Sequence, residues 1–223
     1  MHVLRATAGD SVRVGVLDGS AGSGRVTAVR DRGVDLHCEL EATVPPRPAV
    51  DLLMAVPRPK VMRRLWAQIA AIGVGQIILT HASRVERNYF DTHVLGEACY
   101  RPLIVEGLQQ ARDTRIPRVS IRRQLKVLVE DELDTLFATG LRITAHLAAG
   151  RPLIDTIRER ARQRVLVAIG PEGGWTRFEL DLLAAHGFQT ADAGPRALRS
   201  DTACIAILAL VHEGLRAGSS SVE

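Results

Sequence analysis

Alternating apolar and polar residues near the start of the chain predict a small β-domain. Three segments place apolar residues at every second position, which is the period of a half-buried strand. They are Ser11–Leu17, Arg25–Val29 and Val34–Leu40, with glycine-containing turns between them. A few short antiparallel strands favour a small barrel. The proline-rich segment 45–48 cannot continue a sheet, so we predict one domain over residues 1–48 and another over residues 49–223.

After residue 48, helical and strand periodicities alternate, which predicts an α/β domain with a mostly parallel sheet. The predicted helices are Pro59–Ile72, Asp131–Ala138, Ile154–Gln163 and Asp201–Arg216, and the predicted strands are Gln76–Thr80, Arg118–Ile121, Leu141–Leu147, Val165–Gly170 and Gln189–Ala193. Thr176 and Glu179 have the spacing of a capping box, which predicts one more helix that carries Phe178, Leu182 and Leu183 and ends near Gly187. Ser200 is expected to cap the last helix.

The last predicted helix is apolar on nearly all sides, from Ala203 to Val211. Such a helix must be buried all round or shared with a partner subunit. Its apolar run is far shorter than the roughly 20 residues that cross a membrane, and no secretion signal opens the chain. The three cysteines are widely spaced, which argues against a disulfide framework or a Cys-x-x-Cys metal site. We expect a cytoplasmic protein without a metal.

The charge is basic and carried almost wholly by arginine. The 223 residues have a net charge of +4, and only two of the 29 basic residues are lysines, Lys60 and Lys126. A GC-rich genome would favour arginine regardless of function, but the guanidinium also suits phosphate binding. Several arginines fall in one short stretch. Such a cluster is expected of a patch that faces phosphates, and it could equally be a solvated charged face. These arginines are Arg112, Arg115, Arg118, Arg122 and Arg123.

Two loops that follow predicted strands are candidates for a binding site. Gly170-Pro171-Glu172-Gly173-Gly174 follows one strand, and the segment from Gly194 to Ser200 follows the next. Ligands of open α/β sheets bind beyond the carboxyl ends of the strands, and glycines there let main-chain groups approach a flat ligand. Taken alone, each loop could equally be an ordinary strand-to-helix turn. Neither matches a dinucleotide or phosphate-loop fingerprint.

Together, the two loops resemble the paired signatures of the RsmE-type ribosomal RNA uracil-N3 methyltransferases. The stretch from Ile169 to Glu179 and the stretch from Gly194 to Ala203 carry the likeness at the family's spacing. Upstream landmarks are similar as well, at 59–65, 72–77 and 109–117. His2-Val3-Leu4-Arg5 with Ala8-Gly9-Asp10 resembles the N-terminal PUA-like barrel. The stretch 109–115 departs from the family's usual pattern.

The resemblance implies a SPOUT fold, in which a C-terminal trefoil knot forms the cofactor pocket. It further implies a homodimer that uses S-adenosylmethionine to methylate uracil N3 in RNA of the small ribosomal subunit, within an assembled or nearly assembled particle. Family members begin earlier, with a strand that closes the barrel. We therefore expect either an incomplete PUA-like barrel or a start codon upstream of Met1.

Site residues follow from the resemblance as expectations. Arg199 would stabilise the uracil anion, and Glu172 would bind the neighbouring loop or assist proton transfer. Cofactor contacts are expected from His146, Ile169, Gly170, Gly173, Gly174, Ala193, Gly194 and Leu198. RNA contacts are expected from Arg112, Arg115, Arg118 and Arg196. His146 could equally be an ordinary residue at a strand end.

Two alternatives remain open from the sequence. The same fold could methylate another RNA position, such as a ribose oxygen or a base of transfer RNA or large-subunit RNA. A non-catalytic RNA-binding factor of ribosome assembly would use only the barrel and the arginines.

Overall fold

The chain folds into a small antiparallel sheet followed by a larger parallel one. The structure, a computed structural model, describes residues 7–31, 33–147, 150–160 and 163–219. The first sheet has the order β1-β2-β3, from Ser11–Gly15, Ala21–Arg30 and Gly33–Leu40. An irregularity between Val26 and Ala28 shifts the register of β2 against β3. The three strands fit part of a small barrel; the landmark at residues 2–5 lies outside the described residues.

The second sheet has six strands in the order β6-β5-β4-β8-β7-β9, and every pairing is parallel. The strands are β4 (Val50–Ala55), β5 (Gln76–Thr80), β6 (Arg118–Arg122), β7 (Leu141–His146), β8 (Val165–Ile169) and β9 (Phe188–Asp192). Both central strands, β4 and β8, are buried at every position, as expected of a sheet covered on both faces. All six strands end at one edge of the sheet, here called the carboxyl edge, and begin at the other, the amino edge.

Helices connect the strands and cover the sheet. They are α1 (Pro59–Ile72), α2 (Glu97–Ala111), α3 (Leu125–Val127), α4 (Leu133–Leu136), α5 (Leu153–Arg158), α6 (Arg177–Ala185) and α7 (Ser200–Ser219), with a π-helical turn at Leu128–Glu132 and 3-10 turns at Arg87–Asp91 and His93–Leu95. Trp66 of α1 is fully buried, and its Nε1 donates to the carbonyl of Val94 at 3.0 Å. A buried indole N–H needs such an acceptor.

A turn of the small sheet docks against the segment before β6. The amide of Asp18 donates to the carbonyl of Thr114 at 2.8 Å, and the Thr114 hydroxyl donates to the carbonyl of Gly19 at 2.6 Å. Arg115 donates to the Asp18 carbonyl at 3.0 Å, while Arg47 binds the Asp18 carboxylate at 2.9 Å. The first sheet ends at Leu40 and the second begins at Val50; the boundary at residue 48 stays a prediction.

The predicted alternation of helix and strand is confirmed, with specific errors. The bounds of α1 and β5 agree with the prediction. Two elements were missed, the central strand β4 and the helix α2. The helix predicted at Asp131–Ala138 begins earlier, at Leu125, and ends at Leu136, and the one predicted at Ile154–Gln163 is the short Leu153–Arg158.

The first turns of α6 and α7 complete the comparison with the prediction. On α6, Leu182 and Leu183 are buried, whereas Phe178 in the first turn is 63% exposed. Ser200 does not cap α7 as predicted: its buried Oγ has no hydrogen-bond partner among the described residues. The first turn is closed instead by the carbonyl of Arg199, which accepts from the amide of Ala203 at 2.8 Å. In the described residues, no helix is long and apolar enough to cross a membrane.

Candidate cofactor and RNA site

Three neighbouring strands deliver their loops to one place on the carboxyl edge. The strands β8, β7 and β9 are adjacent and end at Ile169, His146 and Asp192. The segments that follow enclose a cavity of about 380 Å³. Its wall consists of residues 145–147, 169–175, 193 and 196–198, with Arg84, Ala203 and Ile207. The volume lies in the range of roughly 300–1,000 Å³ typical of small-molecule sites.

The glycine-rich loop, residues 170–174, is anchored from behind by the capping box of α6. The carboxylate of Glu179 is 3% exposed and accepts from the amide of Thr176 at 2.7 Å, while Thr176 Oγ1 accepts from the amide of Glu179. The predicted capping box is therefore confirmed. The second oxygen of Glu179 accepts from the amide of Ser83 at 2.7 Å. One buried carboxylate thus ties the start of α6 to the loop after β5.

Two arginines hold the glycine-rich loop from the front. Arg84 donates through Nη1 to the carbonyl of Gly173. Arg58, which precedes α1, lies 3.5 Å from the Glu172 carboxylate. Both contacts lie at the protein surface, where ion pairs contribute little to stability. They therefore orient the loop more than they stabilise the fold.

The second loop, residues 193–199, starts from a fixed point beside β7. The amide of Ala193 donates to the carbonyl of His146 at 2.9 Å, and the amide of Gly194 donates to the Asp192 carboxylate at 2.9 Å. Gly194 has a φ of +113°, a conformation that side-chain-bearing residues rarely adopt. The chain can therefore turn sharply there and bring Leu198 to the cavity wall.

His146 forms part of the cavity wall at the end of β7. Its Nδ1 lies 2.9 Å from the carbonyl oxygen of Leu147. Since a carbonyl only accepts, Nδ1 carries the proton in the neutral ring. This contact orients the imidazole without tying up Nε2.

The first turn of α7 closes the site and is tethered to α1. Arg64 binds the carboxylate of Asp201 at 2.6 Å. That hydrogen bond lowers the pKa of Asp201 below its ordinary value of 3.8, with partial burial opposing the effect. Arg199 is exposed and lies immediately before α7. The helix thus begins beside both predicted loops.

The structure brings most of the predicted site residues together. Lining the cavity are the predicted cofactor residues His146, Ile169, Gly170, Gly173, Gly174, Ala193 and Leu198, together with Glu172 and Arg196. Gly194 and Arg199 are not in the wall: Gly194 makes the turn behind Ala193, and Arg199 follows Leu198 on the exposed side. Their predicted roles remain proposals.

Comparison with known proteins identifies the family. A family model described as the RNA methyltransferase domain matches residues 45–212, well over half of the chain. The chain belongs to the RNA methyltransferase domain family. The resemblance inferred from the two loop motifs is thereby confirmed, because the matched range contains both loops of the cavity and the whole parallel sheet.

Individual relatives of this RNA methyltransferase are distant but extensive in coverage. It is 28% identical over 216 residues to ribosomal RNA small subunit methyltransferase E of Treponema pallidum, across 94% of this chain and 79% of the relative. The match to methyltransferase E 1 of Borreliella burgdorferi is 26% identical and covers 70% of this chain but only 63% of the relative. The fold resembles ribosomal RNA small subunit methyltransferase E from Neisseria gonorrhoeae, solved bound to S-adenosyl methionine, with a TM-score of 0.75 and 19% identity over 93% of this chain and 84% of that one.

Three arginines predicted to contact RNA lie away from the cavity of the RNA methyltransferase. Arg118 begins β6 and pairs in register with Gln76 at the amino edge. Arg115 is committed to the Asp18 turn, and Arg112 is exposed at the end of α2. Farther along the same stretch, Arg122 pairs with Glu132 and Arg123 with Asp91. The arginine-rich stretch therefore does not form one patch at the cavity, and its contacts with RNA stay a prediction.

Sequence reasoning missed several wall residues. Arg84 belongs to a loop distant in sequence from both motifs, and no local signal marks it. Trp175 directly follows the glycines, so its place in the motif could have flagged it. It is 4% exposed, and its Nε1 has no hydrogen-bond partner among the described residues. An unpaired buried donor in a cavity wall is unusual enough to indicate a ligand-facing role.

Proposed function

We propose that the protein transfers the methyl group of S-adenosylmethionine to N3 of a uridine in the RNA of the small ribosomal subunit. The observation that carries this proposal is the meeting of three loops from adjacent strands around one cavity of about 380 Å³. Membership of the RNA methyltransferase family supports the reaction type. The names of the Treponema pallidum and Neisseria gonorrhoeae relatives support the substrate and the cofactor.

The residues present fit S-adenosylmethionine. Adenine needs an apolar slot with main-chain partners at its edge, which residues such as Ile169, Ala193 and Leu198 provide beside the glycine-rich loop. Trp175 adds a buried donor that has no hydrogen-bond partner in the described parts of the chain. The glycines leave room for a ligand to reach the backbone. We assign cofactor binding to these residues together with His146, Gly170, Gly173, Gly174 and Gly194.

The protein's own part in catalysis is alignment and charge stabilisation. S-adenosylmethionine would supply a methyl group on a sulfonium, whose thioether is a good leaving group. Correct positioning of the uracil therefore accounts for much of the rate acceleration. Uracil N3 must lose a proton before it attacks. Arg199 would stabilise the resulting negative charge on the uracil oxygens. Glu172 would accept the proton or hold the loop, and Arg58 fixes its orientation at 3.5 Å. Arg196 would orient the RNA at the cavity wall.

Finer structural features belong to the same proposal. We propose that residues 49–223 form a SPOUT domain whose C-terminal segment makes a trefoil knot, and that residues 1–48 form a PUA-like RNA-binding domain. The apolar helix α7 supports a homodimer, since Leu210 in its middle is 37% exposed. We also propose a cytoplasmic protein that acts on an assembled or nearly assembled subunit.

Two measurements test the proposal. Calorimetry with S-adenosylmethionine should give one site per chain. Mass-spectrometric mapping of ribosomal RNA from a deletion strain should show loss of a 3-methyluridine in the small subunit, restored by the intact gene. Loss of a methyl group elsewhere, on a ribose or in another RNA, would support methyltransferase activity but show that the target is a different one. Absence of cofactor binding by the folded protein would favour a non-catalytic RNA-binding factor.

A further inference from the structure

Exposed basic side chains lie on three segments that adjoin the cavity. We define the basic rim as eight residues from the start of α1, the loop after β5 and the second cavity loop. They are Arg58, Lys60, Arg63, Arg64, Arg84, Arg87, Arg196 and Arg199. All of these residues are exposed in the structure, although they come from parts of the chain that are more than 100 residues apart in sequence.

Direct contacts bind the basic rim to the cavity. Arg58 lies 3.5 Å from Glu172, and Arg84 donates to the carbonyl of Gly173. Arg64 binds Asp201 at 2.6 Å at the start of α7. On a helix, residues three and four apart share a face, so Lys60 lies beside both Arg63 and Arg64 on the exposed side of α1. The three segments of the rim therefore adjoin the wall that we assign to the cofactor.

The basic rim is not neutralised by its neighbours. Its carboxylates are Glu172 and Asp201, already paired with Arg58 and Arg64, and Glu86, which accepts from the Tyr89 hydroxyl at 3.1 Å. In the part of the chain that the structure describes, no ion pair is formed by Lys60, Arg63, Arg87 or Arg196. The rim thus concentrates a positive excess comparable to the net charge of +4 of the whole chain.

Arginines at the amino edge are used differently. Arg115 and Arg47 bind the Asp18 turn, and Arg164 binds both oxygens of buried Asp51 at 2.7 Å. Guanidinium groups that are committed to protein carboxylates and carbonyls have fewer donors left for a phosphate. Among the described residues, the rim is where such uncommitted cations adjoin the cavity in which the methyl transfer would occur.

We propose that the basic rim binds the sugar-phosphate backbone of RNA on either side of the nucleotide that enters the cavity. This inference rests on the proposed function, because it takes RNA as the substrate of that cavity. A base that reaches the methyl donor must leave its stack, and the phosphates next to it then lie at the mouth. Lys60, Arg63 and Arg87 contact those phosphates and hold the strand while the base is displaced.

The salt dependence of RNA binding tests the rim against the amino edge. The rim variant carries Lys60→Gln, Arg63→Gln and Arg87→Gln. A matched control removes three exposed charges elsewhere, through Arg112→Gln, Arg118→Gln and Arg160→Gln. Binding of a single-stranded oligouridylate is measured over a range of salt concentrations for the full chain and both variants.

Each phosphate of a single strand that a protein neutralises contributes about 0.7 to the slope of log affinity against log salt. We expect the slope to become shallower by about two in the rim variant and to stay unchanged in the control. An unchanged slope in the rim variant, or an equal decrease in the control, overturns the proposal. Calorimetry with S-adenosylmethionine on the same samples tests the proposed function separately. Absence of cofactor binding overturns the proposed function, whereas the salt slopes still decide whether the basic rim binds RNA.

Discussion

The two edges of the parallel sheet carry cavities of different character. At the carboxyl edge, glycine-rich loops and apolar side chains enclose about 380 Å³. At the amino edge, a smaller cavity of about 210 Å³ is lined by charged side chains, among them Asp51, Arg118 and Arg164. Asp51 is 1% exposed and pairs with Arg164 through both oxygens.

The difference separates a binding site from a structural ion pair. At the carboxyl edge, the buried Nε1 of Trp175 has no hydrogen-bond partner within the described ranges, which leaves a donor for a ligand. At the amino edge, both oxygens of the buried Asp51 carboxylate already accept from Arg164. Charge within a cavity is therefore a poor guide to function here, and the unsatisfied groups at the ends of the strands are a better one.

Replacing Arg199 should have the largest effect. Arg199→Ala removes the group assigned to the uracil anion, and loss of one such donor typically lowers turnover by about 10²- to 10³-fold. We expect S-adenosylmethionine affinity to persist in calorimetry while methyl transfer to RNA is lost. The matched variant Arg118→Ala, at the amino edge, should retain full turnover; equal losses in both would remove the distinction between the edges.

A valine at Gly194 should weaken cofactor binding. Its φ of +113° strains a β-branched residue although no atom lies within 4 Å of the added Cβ, so the loop rather than the packing must adjust. A strain of about 1–3 kcal/mol predicts a loss of affinity of roughly five- to 150-fold. Gly187→Val is the control, with a φ of +82° and equal space after α6. It should lose similar thermal stability but keep its affinity for S-adenosylmethionine.

At the amino edge, replacing a residue of the buried ion pair should lower the free energy of unfolding and leave the activity unchanged. Asp51→Ala leaves Arg164 without its partner and should cost about 1–3 kcal/mol in urea unfolding. Methyl transfer by the folded variant should persist. A selective loss of turnover without loss of stability would give the amino edge a functional role.

The Asp51→Asn variant should show whether burial or Arg164 dominates the pKa of Asp51. Burial raises the pKa of Asp51 above its ordinary 3.8, although hydrogen bonding to Arg164 opposes it. The folded protein therefore holds that proton more tightly than the unfolded chain. As the pH rises from 3.8 through the folded pKa, the original protein should lose stability relative to the Asn variant. A difference that moves the other way would mean that Arg164 outweighs burial.

The smallest effect is expected where α1 meets α7. The hydrogen bond from Arg64 lowers the pKa of Asp201, so its stabilisation is present above the ordinary value and is lost as the pH falls through the folded pKa. Arg64→Ala should cost about 0.2–1 kcal/mol near neutral pH, and the cost should vanish in acid. Urea unfolding at several pH values measures it; a cost independent of pH would point to the packing of the arginine stem.

Elements with a strong local signal were predictable, and others were not. The amphipathic α1 and the capping box of α6 were predicted correctly. The strand β4 was missed because it is buried throughout and has no alternation, and its Asp51 interrupts an apolar run. The helix α2 was missed because its apolar residues do not form one face and Pro102 lies within it.

The sequence alone determined the local features: the strand and helix periods, the turn at Gly194, the capped start of α6, and two motifs specific enough to indicate the family. Tertiary structure alone decided that β8, β7 and β9 are neighbours, that Arg84 reaches the carbonyl of Gly173, and which arginines surround the cavity. The reason is physical. Local propensities depend on a few consecutive residues, whereas strand order and side-chain proximity depend on how distant apolar faces are buried against one another.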